Sequence, residues 1–174
     1  PKRTTDTWRE RAASAGLGEL HLARVESFPE ESLTRPQEQG FDSSVEFQPD
    51  WSMLVRRRWQ LRLRSLLLPG RLTRLRRRIH AYDYGTIVDA MMTKSDPGYL
   101  RHPCVTPGWD NTPRRIRGSY LFLDRTPEKY GEWLAHALRQ APATSSEPLV
   151  FLNAWNEWGE GNHLEPCQRF GREF

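Results

Sequence analysis

An apolar run, Leu149 to Leu152, gives way at Asn153 to fourteen residues holding three carboxylates, two tryptophans, three asparagines and a histidine. The apolar run reads as a buried strand. A stretch shaped only by burial would not put so much polar and aromatic material at the end of a core strand. In α/β folds, side chains that do chemistry collect where strands end and loops begin. The segment from Phe151 to Pro166 therefore constrains the chain to an α/β fold with a site at a strand end.

The remaining residues supply the elements such a fold needs. Apolar spacing predicts a helix over 7–15, closed by Gly16 and Gly18. Strands are expected over 19–27 and 43–47, separated by a polar loop and ended by Pro49. Tyr82 to Met92 reads as a helix with Ile87, Val88, Met91 and Met92 available for burial. A strand over 102–106 runs into a polar loop, and Tyr120 to Leu123 is a further short extended passage. Thr126-Pro127-Glu128 starts a helix that runs to about Arg139 and buries Tyr130, Trp133, Leu134 and Leu138. Residues 141–148 then link to a strand over 149–155. Four strands separated by helical material make the C-terminal half of a (β/α)8 TIM-type barrel. Alone, such a half would leave parallel edges open. The chain also opens on Pro1 without a methionine, so it reads as a fragment: one partial domain over 1–174.

Composition narrows the function. The chain is 37% hydrophobic with a mean hydropathy of -0.77, yet its seven tryptophans argue against disorder. The net charge of +4 is concentrated, because residues 52–79 carry ten arginines and no acid. Pro69-Gly70 breaks this segment, which reads as an Arg-rich insertion within the domain. It could lie on an anionic membrane, bind nucleic acid, or be a solvated variable loop. Nucleic acid is the weakest of the three, since no recognised motif accompanies the arginines and only Trp59 interleaves them. No apolar run approaches the ~20 residues of a membrane span. Cys104 and Cys167 show no metal spacing and fit a reducing compartment. A cytoplasmic location is expected, at the inner face of the membrane if the basic segment binds there. His21, His80, His102 and His136 have no ligand spacing either, so no metal and no cofactor is expected.

Glu157 and Glu160 are the candidate catalytic pair. Glycosyl transfer and hydrolysis need one group to protonate a leaving oxygen and another to assist attack, and paired carboxylates can supply both. Residues three apart on a strand point to opposite faces. In the turn after a strand they can converge, with Gly159 and Gly161 giving freedom. Trp155 and Trp158 offer flat apolar faces for sugar rings. Asn153, Asn156 and Asn162 can hydrogen-bond hydroxyls. Trp109-Asp110-Asn111 with Arg114 follows a strand and reads two ways. Asp110 and Asn111 bind hydroxyls while Arg114 holds a phosphate or carboxylate, or the segment is an Asx-type turn with a surface arginine. Glu46 either faces the pocket or forms a strand-face salt bridge. Tyr84 is either a ligand or packing, and His163 either contacts sugar or is a hydrogen-bonded loop histidine.

The run Asn153-Ala-Trp-Asn-Glu-Trp-Gly-Glu-Gly-Asn-His-Leu-Glu-Pro166 resembles the signature of the WbsX glycosyltransferase family. These are bacterial polysaccharide-biosynthesis proteins with a glycoside hydrolase family 99-like domain. Gly40-Phe-Asp-Ser-Ser-Val-Glu-Phe47, Tyr82-Asp-Tyr84 and Pro107-Gly-Trp-Asp-Asn-Thr-Pro-Arg-Arg115 are similar to its other motifs, in the same order. The resemblance implies a (β/α)8 barrel and a sugar site at the C-terminal ends of its strands. It also implies transfer between a sugar donor and a glycan acceptor during synthesis of surface polysaccharide, such as lipopolysaccharide O-antigen or capsule. In the related endo-α-mannosidases the acid pair acts in a retaining mechanism. By that likeness Glu157 deprotonates the sugar 2-hydroxyl and Glu160 is the general acid/base. Asn156, Trp158, His163 and Glu165 join Glu46, Tyr84, Trp109, Asp110, Asn111 and Arg114 as candidate substrate-binding residues. The alternatives are a retaining endo-α-mannosidase-like hydrolase and an inactive carbohydrate-binding fragment. Cys167 stands where the family pattern leads one to expect an acid, and the family's domain is longer than this chain.

Overall fold

The computed structural model describes residues 1–51, 53–54, 79–115, 118–141 and 148–174. Most of the Arg-rich segment at 52–79 and of the linker at 141–148 lies outside these residues.

Helix α1 (Lys2–Ser14) begins earlier than apolar spacing predicts. Its end is a Schellman cap: Leu17 N–H donates to the Ala12 carbonyl at 3.0 Å and Gly16 N–H to Ala13 at 3.1 Å, with Gly16 at φ 71. Arg9 ties the helix down, donating to the Leu20 carbonyl at 2.5 Å and to the Asp42 carboxylate at 2.8 Å.

The expected strands are present but short. β1 (Ala23–Glu26), β2 (Ser43–Glu46) and β4 (Arg101–His102) are parallel neighbours, and β5 (Cys104–Val105) pairs in parallel with β7 (Phe151–Leu152). Pro103 separates β4 from β5 because it has no N–H to give a ladder. Its carbonyl still accepts the Phe151 N–H at 2.8 Å. The two parallel groups, β1-β2-β4 and β5-β7, follow one another through Pro103 and are drawn from the four expected strand regions.

Two expectations are corrected. β3 (Ile79–Asp83) pairs in parallel with β6 (Ser119–Leu123), so Tyr82 and Asp83 are strand rather than helix. Helix α2 (Tyr84–Met92) starts only after Asp83, whose Oδ1 accepts the Thr86 N–H at 2.7 Å and caps it. The run Leu149–Leu152 is not buried either: Leu149, Phe151 and Leu152 are exposed. β7 is bonded to β5 on one side, and among the described residues nothing pairs its other edge.

Helices α2 and α3 (Pro127–Gln140) pack on each other, α2 against β3 and α3 against β5, and with β6 they enclose the core. Thr126 caps α3 as expected, its Oγ1 accepting the Lys129 N–H at 3.3 Å. Tyr130, Trp133 and Ala137 form the buried stripe, with Leu134 packed beside it. Leu138 lies off this stripe by the helical period and is exposed, contrary to expectation.

A second cluster, of charges, closes the carboxyl ends of β1 and β2. Glu26 and Glu46 sit in register on adjacent strands, where like charges repel. Lys94, just after α2, donates to both Glu46 and Asp50. Arg101 lies 3.9 Å from Glu46 and 4.0 Å from Glu26, and Arg24 donates to Glu26 at 2.8 Å. Tyr99 also donates to Glu26, and burial together with that carboxylate pushes its phenol up to about 12.

Candidate active site

The segment after β7 folds into a hairpin seated over the ends of β5 and β7. β8 (Asn156–Glu157) and β9 (Asn162–His163) pair antiparallel, Asn156 opposite His163 and Glu157 opposite Asn162. A single 3-10 turn, Trp158–Glu160, joins them through Gly161 at φ 55. The Trp155 carbonyl closes the base, accepting the N–H groups of Leu164 and Glu165 at 2.9 and 2.8 Å.

Three polar ties seat this hairpin. Asn162 is fully buried, and its Oδ1 accepts Thr106 Oγ1–H at 2.8 Å and the Ala154 N–H at 3.2 Å. The Glu160 carbonyl accepts the Asp110 N–H at 2.6 Å. The Gly161 carbonyl accepts Arg125 Nη1–H at 2.8 Å. Thr106 and Asp110 belong to the loop after β5, and Arg125 follows β6. Two motifs far apart in sequence are thus joined at the carboxyl ends of parallel strands. Gly161 is required twice over: its φ favours glycine, and a Cβ there would lie 2.9 Å from Asp110 Cβ.

The candidate residues divide by placement. Glu160 is largely shielded, its side chain 16% exposed, and pairs with the guanidinium of Arg114, which is 54% exposed. Glu157 and Asn156 are exposed on β8. Trp158 is 50% exposed and stacks on His163, with ring centroids 3.8 Å apart and planes 15° from parallel. Its Nε1–H donates to Glu165 Oε2 at 2.6 Å. Trp155 is also exposed. Glu157, Glu160, Trp158, His163, Glu165, Asn156, Asp110 and Arg114 are thus carried by one hairpin and the loop beneath it.

The others lie in the core or in polar contacts away from the hairpin's exposed groups. Tyr84 is wholly buried, and its hydroxyl donates to the Thr106 carbonyl at 2.6 Å. Burial pushes its phenol far above the ordinary range. Trp109 is in the core, edge-on to Trp51. Asn111 is buried, its Oδ1 accepting the Tyr120 N–H at 2.8 Å, while Asp110 Oδ1 accepts the Thr112 N–H at 2.9 Å and forms the Asx turn. Glu46 lies in the Lys94 and Arg101 salt bridges.

Sequence reasoning passed over Thr106 and Arg125, the two side chains that anchor the hairpin. Arg125 has one sequence trace, Gly108, where a Cβ would come 2.6 Å from Arg125 Cδ. Burial, then the Arg125 charge, lowers the His163 pKa. Among the described residues no group of three or more His, Cys, Asp or Glu could hold a metal ion, and no helix is long and apolar enough to cross a membrane.

Comparison with known proteins gives the family and a fold likeness. Residues 1–174 match the family model described as Glycosyltransferase WbsX. Two similar proteins, each named Uncharacterized protein WxcX, come from two strains of Xanthomonas campestris pv. campestris. One is 36% identical over 173 residues and the other 35% over 179. Each alignment covers 98% of this chain and 23% of the relative, so the chain spans about a quarter of their length. A solved structure titled Glycoside hydrolase-like protein superposes with a TM-score of 0.51 at 13% identity, over 98% of this chain and 44% of that one. At that identity the likeness concerns the fold.

Proposed function

Since the chain belongs to the WbsX glycosyltransferase family, we propose that it forms one wall of a sugar site in a carbohydrate-active enzyme of bacterial surface polysaccharide synthesis, with Glu157 and Glu160 as the reacting acids. The observation that carries this reading is the hairpin itself. It holds two carboxylates and two exposed indoles on a scaffold anchored at the carboxyl ends of parallel strands, where α/β enzymes place their chemistry. The parallel groups β1-β2-β4 and β5-β7, from strand regions in chain order, support a half-barrel reading.

In the proposed reaction Glu157 takes the proton of the donor sugar's 2-hydroxyl, and that oxygen attacks the anomeric carbon. The bond to the leaving oxygen breaks as Glu160 protonates it, giving an anhydrosugar. An acceptor hydroxyl then opens this ring, losing its proton to Glu160 while Glu157 returns one to the 2-oxygen. Arg114 must release Glu160 for that carboxyl to carry a proton, and a phosphate or carboxylate on the substrate would be its natural replacement partner. In this reading Asn156 and Glu165 bind hydroxyls, while Asp110 holds the loop beneath the hairpin through its Asx turn. The Arg-rich segment would hold the protein at the inner face of an anionic membrane, near a lipid-linked acceptor.

The test uses the full-length protein. Glu160→Gln and Glu157→Gln should each lower product formation by roughly 10²–10⁴-fold with an unchanged circular dichroism spectrum. Wild-type turnover in either variant would sink the assignment. The second reading is a retaining hydrolase, since the solved structure that superposes on this chain is titled Glycoside hydrolase-like protein. Release of free sugar from an α-mannoside without any activated donor would decide for that reading.

A further inference from the structure

We propose that His163 is a positioning residue that holds the Trp158 indole flat as a stacking surface for the ring of a bound sugar, a role resting on the carbohydrate-site reading above. His163 is 6% exposed and lies beneath the indole, so a sugar on the outer face of Trp158 would not touch it.

The hydrogen bonds assign the state of the imidazole. A guanidinium has donors only. Arg125 Nη2 stands 3.3 Å from His163 Nε2, so Nε2 must offer a lone pair. The ring proton is then on Nδ1, which faces the Glu165 carbonyl at 3.4 Å. Arg125 is itself fixed. It donates to the Gly161 carbonyl and lies over the rings of Phe170 and Phe174, at 5.4 and 5.9 Å. Gly108 makes room for it, since a Cβ there would also come 2.9 Å from Nη1.

On this neutral ring the indole is held in two senses. Stacking at 3.8 Å sets its plane, and the bond from Nε1–H to Glu165 sets its direction within that plane. What remains open is the outer face, a flat apolar surface suited to the C–H face of a pyranose.

The charged groups facing His163 are Arg125 and Glu165, while Asp110, Cys167, Arg169 and Tyr84 act on Arg125. A second proton on the imidazole would abolish the Nε2 acceptor and oppose two cations. Burial and Arg125 favour the neutral ring in the folded protein, so its folded pKa lies below the ordinary 6.5. The arrangement is therefore stable above that value and is lost as pH falls through the lower folded one.

The experiment titrates the full-length protein with methyl α-D-mannopyranoside while following tryptophan emission, in wild type and in Trp158→Phe, His163→Gln and Gly108→Ala. In the wild type, emission should change as pH falls below about 6.5, and both Trp158→Phe and His163→Gln should remove that change. Mannoside affinity at neutral pH should fall at least about threefold in His163→Gln and in Gly108→Ala, which displaces Arg125 without touching His163. Wild-type affinity should drop to the same level in acid. Wild-type affinity in both variants, or emission from Trp158 that ignores pH, overturns the proposal. If no variant or wild type binds the mannoside, the sugar-site reading and the stacking role fail together. The emission titration still reports separately whether His163 holds Trp158.

Discussion

Asn162→Ala should loosen the acid-bearing hairpin without unfolding the rest. The side chain accepts two donors, Thr106 Oγ1–H and the Ala154 N–H. Losing both acceptances would cost about 2–3 kcal/mol, taking roughly 1–1.5 for each. Two features reduce that. The Thr106 hydroxyl can turn to the Gly108 carbonyl, already 3.0 Å away. Asn162 Nδ2 is buried without a partner among the described residues, so removing it relieves a desolvation cost. The net loss should be about 1–2 kcal/mol, a factor of roughly 5–30 in a local opening equilibrium. Amide hydrogen exchange of the full-length protein, resolved by peptide, would show it as faster exchange across 154–165 with β3 and β6 unchanged. Thr106→Val should give about half the effect, because Asn162 keeps the Ala154 N–H. A change below threefold in both variants would refute the claim that this contact seats the hairpin.

Two further outcomes test the assignment of buried groups. Tyr84→Phe deprives the buried Thr106 carbonyl of its 2.6 Å donor, and should lower stability by about 1–2 kcal/mol in thermal unfolding while leaving sugar affinity unchanged; a tenfold affinity loss would instead make Tyr84 a ligand. Burial pushes the Cys104 thiol up to about 12, so almost none of it is thiolate at pH 8. Peptide mass spectrometry should find iodoacetamide on half-buried Cys167 and on Cys104 only after denaturation.

What could be read from the chain, and what could not, follows from the range of each interaction. The strands around Val45 and Val105 are legible because apolar residues bounded by turn formers need no distant information. The helix cap at Thr126 is legible for the same reason, since its partner Lys129 is three residues away. Ile79–Asp83 is not legible as a strand because five residues of mixed character run straight into a helix, and periodicity cannot divide strand from helix over so short a span. Tyr84 and Trp109 show another limit. Aromatic side chains suit a sugar and a core equally well, and only the fold decides between them. Glu46 and Arg125 meet partners 48 and 38 residues away, Lys94 and His163 respectively, and no local pattern records such pairings.

The hairpin's anchors also bear on how such a protein can diversify. Two of its three ties end on main-chain carbonyls, those of Glu160 and Gly161, and the third uses Asn162. None depends on the side chains of Glu157, Trp158 or Glu160. Replacing those side chains leaves the three supporting bonds in place, so exchanges at these positions can change the chemistry of the hairpin while it keeps its fold. Mutational tolerance and chemical novelty then fall on the same few positions.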